Sequence, residues 1–361
     1  MQAAATISAK KIFTGSDWLH NCMLVVEEGR VVEIASFQGT PAHDILVPAF
    51  IDLQIYGAGG KLFSLFPEVS TLELLHQECL KGGAHFFLPT VATNSPSVIS
   101  ACIKAVRSYW DKGGKGCLGL HLEGPWLNPV KKGAHLEEFM YSPTSIQVIE
   151  LLKEGGDIIK MITLAPECCS AEIIEILKSH EIRISAGHTN ANYAQAYAGF
   201  DQGIPLATHL FNAMTPFQHR SPGMVGAIFN HPLVMASIIP DGYHVDWPAI
   251  QVAKKIMQDR LFVITDAVTS TDQGPYPHFL ANDRYEANGV LSGSALTMLK
   301  ACNNLIDHVK LTKEEALRMC SLYPARAFGI DDRFGKLLPG YQASYLSVKE
   351  DEKGLFLNLP L

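Results

Sequence analysis

Four residues able to bind metal or move protons, Glu123, His188, His209 and Asp266, each stand at or just past the end of a short apolar run. The runs are CLGLHLEGP, IRISAGHT, LATHLFNA and LFVITDAV. All are rich in β-branched and aliphatic residues, the composition of strands covered on both faces. Two histidines and a glutamate form one of the sets that hold a catalytic zinc with a position left open for water. Such an ion makes water a nucleophile near neutral pH and polarises a carbonyl, but a proton acceptor must stand nearby. Asp266 is the candidate, taking a proton during attack and later handing it to a leaving nitrogen. Singly, each residue also has a structural reading, since strand-end histidines often pack and a lone aspartate often caps a helix. Their joint occurrence at four strand ends points to a metal-dependent hydrolase.

The elements that must gather these groups follow from the apolar rhythm. From Ala49 onward, strand candidates alternate with amphipathic helices, and eight strands are readable: FIDLQIYG, AHFFLPT, LGLHLEG, KMITLAP, IRISAGH, LATHLFN, VMASIIPDG and LFVITDA. Eight βα units over this length predict a (β/α)8 TIM barrel, whose strand ends collect catalytic residues on one face. Helices are expected at SVISACIKAVRSYWDKGG, SAEIIEILKSH and AIQVAKKIMQ, with KEEALRMCSLYPARAFG as a single final helix. The segments AKKIFTG and CMLVVEEGRVVEIAS, the latter bent at Gly29, read as strands before the barrel, and GKLLPGYQASYLSV returns to strand signals. The chain ends are therefore expected to pair in a small β domain, residues 1–47 with 331–361, interrupted by the barrel at 48–330. Gly57, Gly59 and Gly60 lack a phosphate-binding pattern and read as a tight turn at the site rim. Gly293 reads as a close backbone approach at a helix start, with Ser292 or Ser294 as cap.

Composition excludes several classes. Hydrophobic residues make up 47% of 361, enough for a large core, and charged residues only 18%, too few for a disordered chain. A net charge of -7 argues against nucleic acid as partner, while leaving room for an anionic small molecule held by local cations. No run reaches the roughly 18 to 20 apolar residues of a membrane span, and the N-terminus lacks a leader pattern, so a cytoplasmic location is expected. The eight cysteines include no CxxC pair and read as reduced thiols.

HLEGPWLNPVKKGAH, SAGHTNA, THLFNAMTPFQHRSPGMVGA, DGYHVD, ITDA and LSGSALTM occur in that order and resemble the successive motifs of the N-acetylglucosamine-6-phosphate deacetylase family, within the amidohydrolase superfamily. The resemblance runs from about residue 48 to 300 and on into GKLLPG. It implies a barrel with a small β-sandwich built from both chain ends. It also implies hydrolysis of the acetamide of N-acetylglucosamine 6-phosphate to glucosamine 6-phosphate and acetate. By the same resemblance Glu123, His188 and His209 are metal ligands, Asp266 is general base and then acid, and His135 contacts the substrate and polarises its carbonyl. Arg220 and His244 match positions that bind the sugar phosphate, and Asn212 and Ala213 match contacts to the same end. Family members are commonly homodimers in which the arginine reaches the neighbouring site.

Where many amidohydrolases carry His-x-His for a second metal, this chain has Gln54 and Tyr56, neither a good divalent-metal ligand. One divalent ion per subunit is therefore expected, zinc first, with iron, cobalt or manganese as alternatives, and Gln54 lending a hydrogen bond instead. The acid that follows the arginine in the family motif is Ser221 here. Two other readings stay open: another metal amidohydrolase acting on a cyclic amide or different N-acyl substrate, and a regulator that kept the barrel without its chemistry.

Overall fold

The computed structural model describes residues 5–287, 289–352 and 354–358. Strands β1 (Ala5–Phe13), β2 (Trp18–Glu27), β3 (Arg30–Ser36) and β4 (His43–Pro48) come first. The turn between β2 and β3 is made at Gly29, whose φ of +75° suits a residue without Cβ. Only Ala49 separates β4 from β5 (Phe50–Ile55), so the small sheet runs directly into the first barrel strand.

After β5 comes the two-residue hairpin β6 (Gly57–Ala58) and β7 (Lys61–Leu62). Gly59 and Gly60 at its tip have φ of +56° and +82°, the paired positive values that a tight primed turn requires. The rim-turn expectation holds, since Leu62 borders the site cavity.

The remaining barrel strands are β8 (Ala84–Ala92), β9 (Leu120–Glu123), β10 (Ile159–Leu164), β11 (Arg183–Ala186), β12 (Leu206–Ala207), β13 (Met235–Ile238) and β14 (Leu261–Val263). Each pairs in parallel with its neighbour in the order β5-β8-β9-β10-β11-β12-β13-β14. The ring closes where the Asp266 N–H donates to the Gln54 carbonyl at 3.0 Å and the Tyr56 N–H to the Ala267 carbonyl at 2.9 Å. Beneath that seam the buried Asp52 carboxylate accepts from the Thr265 N–H at 3.1 Å and hydroxyl at 2.5 Å. All eight strands read from the sequence are present, because burial on both faces leaves a continuous apolar run. The intervening helices carry their own start signals, as where Ser95 accepts from the Val98 N–H ahead of Pro96 in helix Pro96–Asp111.

Past β14 the chain makes an antiparallel excursion, β15 (Phe279–Ala281), β16 (Arg284–Ala287) and β17 (Val290–Ser294), which the sequence pattern did not reveal. Its strands are short and partly exposed, so no clean alternation marks them. Gly293 lies in β17, where an added Cβ would stand 3.1 Å from the Asp266 carbonyl and 2.6 Å from Val268. The close backbone approach is therefore found, but the helix-start assignment is corrected. The next helix begins at Met298, and its cap is Thr297, neither Ser292 nor Ser294. The Ser294 hydroxyl is instead spent on the Thr265 carbonyl at 2.5 Å.

The single final helix is also corrected. It divides into Lys313–Cys320 and Leu322–Phe328, with Ser321 between them at φ -126° and ψ -70°. Pro324 supplies the reason, because its ring has no N–H and would collide with the Cys320 carbonyl in a continuous helix.

Strands β18 (Tyr345–Asp351) and β19 (Gly354–Leu357) return to the first sheet, giving the order β19-β18-β4-β1-β2-β3. This separate sheet domain, drawn from both chain ends, has its own apolar core of Ala9, Ile12, Leu24, Val31, Leu46 and Leu337. The eight cysteines are all free thiols.

Candidate active site

Glu123 is the last residue of β9, His188 and His209 lie two residues past β11 and β12, and Asp266 lies three past β14. Three of these four have left-handed backbones, with φ of +46° at His188, +35° at His209 and +55° at Asp266. Bulky residues avoid that region, and it persists only where neighbours hold it. Here they do. The His209 N–H donates to Ser237 Oγ at 2.8 Å, the Asp266 amide is held in the barrel seam, and the Asn128 N–H donates to the His188 carbonyl at 2.9 Å. The turned backbones swing the side chains inward, over the end of the barrel.

They converge on Glu123. Its Oε1 lies 3.1 Å from His209 Nε2 and 3.4 Å from His188 Nε2, and the two imidazole nitrogens are 3.1 Å apart. Its Oε2 lies 3.0 Å from His135 Nε2 and accepts from the Tyr56 hydroxyl. Burial works against the Glu123 charge, yet His135 and His188 outweigh it and hold the carboxyl well below its usual range.

Three imidazoles thus surround one carboxylate, and Glu123, His135 and His188 form a cluster that could hold a metal ion. Their second nitrogens distinguish them. His188 Nδ1 is 2.9 Å from the Lys131 carbonyl, which can only accept, so Nδ1 carries the proton and Nε2 presents a lone pair to the centre. His135 is the reverse: its Nδ1 accepts from the Thr93 N–H at 3.2 Å, so Nε2 carries the proton. Burial first, then the neighbouring His188, lower the His135 pKa. His135 therefore presents a donor and His188 an acceptor. His209 turns Nε2 to the same point, and its buried Nδ1 has no hydrogen-bond partner among the described residues. The donor set of Glu123, His188 and His209 fits a divalent cation, while His135 turns an N–H toward the same carboxylate.

Asp266 stands opposite. Gln54 Nε2 is 2.7 Å from Asp266 Oδ1, 3.1 Å from Glu123 Oε1 and 2.8 Å from the Tyr56 hydroxyl. Gln54 and Tyr56 thus occupy the first strand end with donors and leave no second pair of nitrogen ligands there. Burial first, then the charges of Glu123, Asp241 and Asp52, push the Asp266 carboxyl well above its ordinary value. His244 Nε2 is 3.9 Å from Asp266 Oδ2, and His244 Nδ1 is 2.6 Å from Asp241 Oδ2. Burial opposes the Asp241 charge, but His244 and the N–H groups of Tyr243 and His244 hold its pKa down.

The cavity over these groups measures about 180 Å³, and Asn212, Ala213, His244 and Asp266 help to line it. Gln54 sits just beneath. Arg220 is the exception among the residues read from the sequence. It lies exposed on a turn closed between Gln218 and Ser221 and does not border this cavity in the single chain. Four residues were not singled out in the sequence: Thr93, Asp241, Tyr276 and His278. Asp241 had a usable signal, an aspartate whose carboxylate takes the amides two and three residues on. Tyr276 and His278 come from the irregular stretch before β15 and carried none.

The amidohydrolase family model matches residues 45–356. The chain is 35% identical over 349 residues to the N-acetylglucosamine-6-phosphate deacetylase of Haemophilus influenzae, covering 91% of each chain. It is 31% identical to the N-acetylgalactosamine-6-phosphate deacetylase of Escherichia coli O157:H7, covering 95% of this chain and 94% of the other. The crystal structure of N-acetylglucosamine-6-phosphate deacetylase from Pasteurella multocida superposes with a TM-score of 0.90 at 32% identity, covering 97% of both chains. Barrel, inward-turned strand ends and relatives of full length agree: the chain belongs to the amidohydrolase family.

Proposed function

We propose that this chain hydrolyses the acetamide of N-acetylglucosamine 6-phosphate to glucosamine 6-phosphate and acetate. The observation that carries the reading is the meeting of Glu123, His188 and His209 within 3.1 to 3.4 Å of one another, with Asp266 held across from them by Gln54. Likeness over nearly the whole chain to deacetylases of N-acetylated amino-sugar phosphates supports the substrate class.

Glu123, His188 and His209 would hold one divalent ion per subunit, zinc being the first choice for two imidazoles and a carboxylate. Bound there, the ion supplies Lewis acidity and makes water a nucleophile near neutral pH. Asp266 takes one proton from the attacking water in its ionised form, which a cation held beside it would favour. His135 offers its Nε2–H to the acetyl oxygen as negative charge gathers there. When the C–N bond breaks, Asp266 returns the proton to the leaving nitrogen, so that water's hydroxyl ends on acetate and its proton on the amine. Asn212, Ala213 and His244 would position the sugar phosphate, and Asp241 fixes the His244 ring. Arg220 would reach the phosphate of a neighbouring subunit in a homodimer, which accounts for its exposure here. Among the described residues no helix is long and apolar enough to cross a membrane, in keeping with action on a dissolved cytoplasmic metabolite.

The test is acetate release from N-acetylglucosamine 6-phosphate, the free sugar and N-acetylgalactosamine 6-phosphate after loading with zinc, iron, cobalt or manganese. Turnover of the first over the second is expected. Preference for the galactosamine ester would move the assignment to the second relative's substrate, and indifference to the phosphate would favour another N-acyl amidohydrolase.

A further inference from the structure

Glu167 borders neither the cavity nor the Glu123 cluster, yet its carboxylate is occupied by three donors from two separate loops. It lies in the one-turn helix Pro166–Cys168 that follows β10. Its Oε1 accepts from the Asn190 N–H at 2.6 Å and from Asn128 Nδ2 at 3.0 Å, and its Oε2 accepts from the Thr189 hydroxyl at 2.5 Å. Charged acceptors make such bonds short and strong.

Both loops lead to His188. Thr189 and Asn190 follow it directly, so anchoring them holds the chain just after a histidine whose φ is +46°. Asn128 acts from the other side. Its N–H donates to the His188 carbonyl at 2.9 Å, and its Oδ1 caps the turn Pro129–Lys131 by accepting from the Val130 N–H at 3.0 Å. That turn delivers the Lys131 carbonyl to His188 Nδ1 at 2.9 Å, the contact that leaves Nε2 bare. By taking Asn128 Nδ2, Glu167 orients the amide so that its oxygen is the capping end.

We propose that Glu167 is a positioning residue which sets both the backbone and the ring tautomer of His188, and thereby the site's affinity for its metal. The inference rests on the metal-site reading above. Partners that fix a ligand imidazole typically carry about 10- to 100-fold in metal affinity. One carboxylate governs orientation and tautomer together, from outside the cavity.

The experiment uses the full chain and two variants, Glu167→Gln and Asn128→Ala. The first puts an N–H donor among three donors; the second leaves the Glu167 bonds to Thr189 and Asn190 intact and removes only the route to the Lys131 turn. Zinc affinity is measured by competition with a chromophoric chelator, and the His188 tautomer in the metal-free protein by its imidazole nitrogen shifts. Zinc binding is expected to weaken about 10- to 100-fold in Glu167→Gln and less in Asn128→Ala, with the His188 Nδ1–H form losing population in both. Unchanged zinc affinity together with an unchanged His188 tautomer would overturn the proposal. Should Glu167→Gln fail to fold, Asn128→Ala decides alone. A parent protein that binds no zinc would remove the metal-site reading, while the tautomer measurement still judges the role of Glu167.

Discussion

The side-chain amide of Gln54 donates to Asp266, with Nε2 2.7 Å from Oδ1. The same nitrogen lies 3.1 Å from Glu123 Oε1, so one neutral amide bridges two buried carboxylates. An imidazole at this place would bring a lone pair able to ligate a second cation, whereas a glutamine amide brings donors only. Gln54→Ala leaves the two carboxylates facing each other unscreened. Hydrogen bonds to charged groups are worth about 1.5–3 kcal/mol, so kcat should fall about 10- to 100-fold. Metal content should stay at one ion per subunit, counted by elemental analysis; a second bound ion in the parent protein would contradict this account of the first strand end.

Asp266→Asn keeps the shape of the side chain and removes its basicity. Positioned proton transfer contributes about 10²- to 10⁴-fold, and kcat should drop by that range while the metal is retained. Turnover at the parent rate would reassign the base.

His135 and His209 compete for the third place beside Glu123 and His188, and mutation separates them. With Nδ1 accepting from the Thr93 N–H, His135 presents an N–H donor at Nε2. His135→Ala should lower kcat about 10²- to 10³-fold, the usual cost of losing one donor to a developing oxyanion, with metal affinity retained. His209→Ala should instead lose the metal. The opposite pattern, read by metal analysis of the two purified variants, would place His135 in the ligand set.

Arg220 is exposed in the single chain and does not border the cavity. If it serves the phosphate of a neighbouring subunit, Arg220→Ala should raise KM for the phosphorylated sugar at least tenfold and leave the free sugar unaffected. Mixing Arg220→Ala with Asp266→Asn chains should restore part of the activity, because one hybrid site then carries both intact residues. No recovery on mixing would place the arginine in its own subunit's site or outside the reaction.

Acid should destabilise the metal-free protein through histidines buried as neutral rings. Burial lowers the His121 pKa from 6.5 to about 4, and its ring lies 3.2 Å from the Leu53 carbonyl through Nδ1 and 2.8 Å from Thr163 Oγ1 through Nε2. The unfolded chain binds this proton first, so the contribution is fully present above 6.5 and is lost as pH falls through about 4. The gap amounts to about 3 kcal/mol. Urea unfolding between pH 7 and 4.5 should show this loss, and His121→Gln should flatten the curve by up to one proton.

The barrel was legible because each of its strands is buried on both faces and so reads as an unbroken apolar run. The chemistry was legible because Glu123, His188, His209 and Asp266, each open to a structural reading alone, occur together at four strand ends. The excursion Phe279–Ser294 escaped because its short, half-exposed strands leave no periodicity, and the broken last helix turned on one proline. The sequence by itself determined the eight barrel strands, the polar groups at their ends and the donor character of Gln54 and Tyr56. Tertiary structure alone decided which way each histidine faces. His135 and His188 are the same side chain, and only a backbone N–H from Thr93 in one case and a carbonyl from Lys131 in the other makes the first present a donor and the second a lone pair at Nε2. Those partners lie 42 and 57 residues away along the chain, a separation that only the closed barrel brings within hydrogen-bond reach.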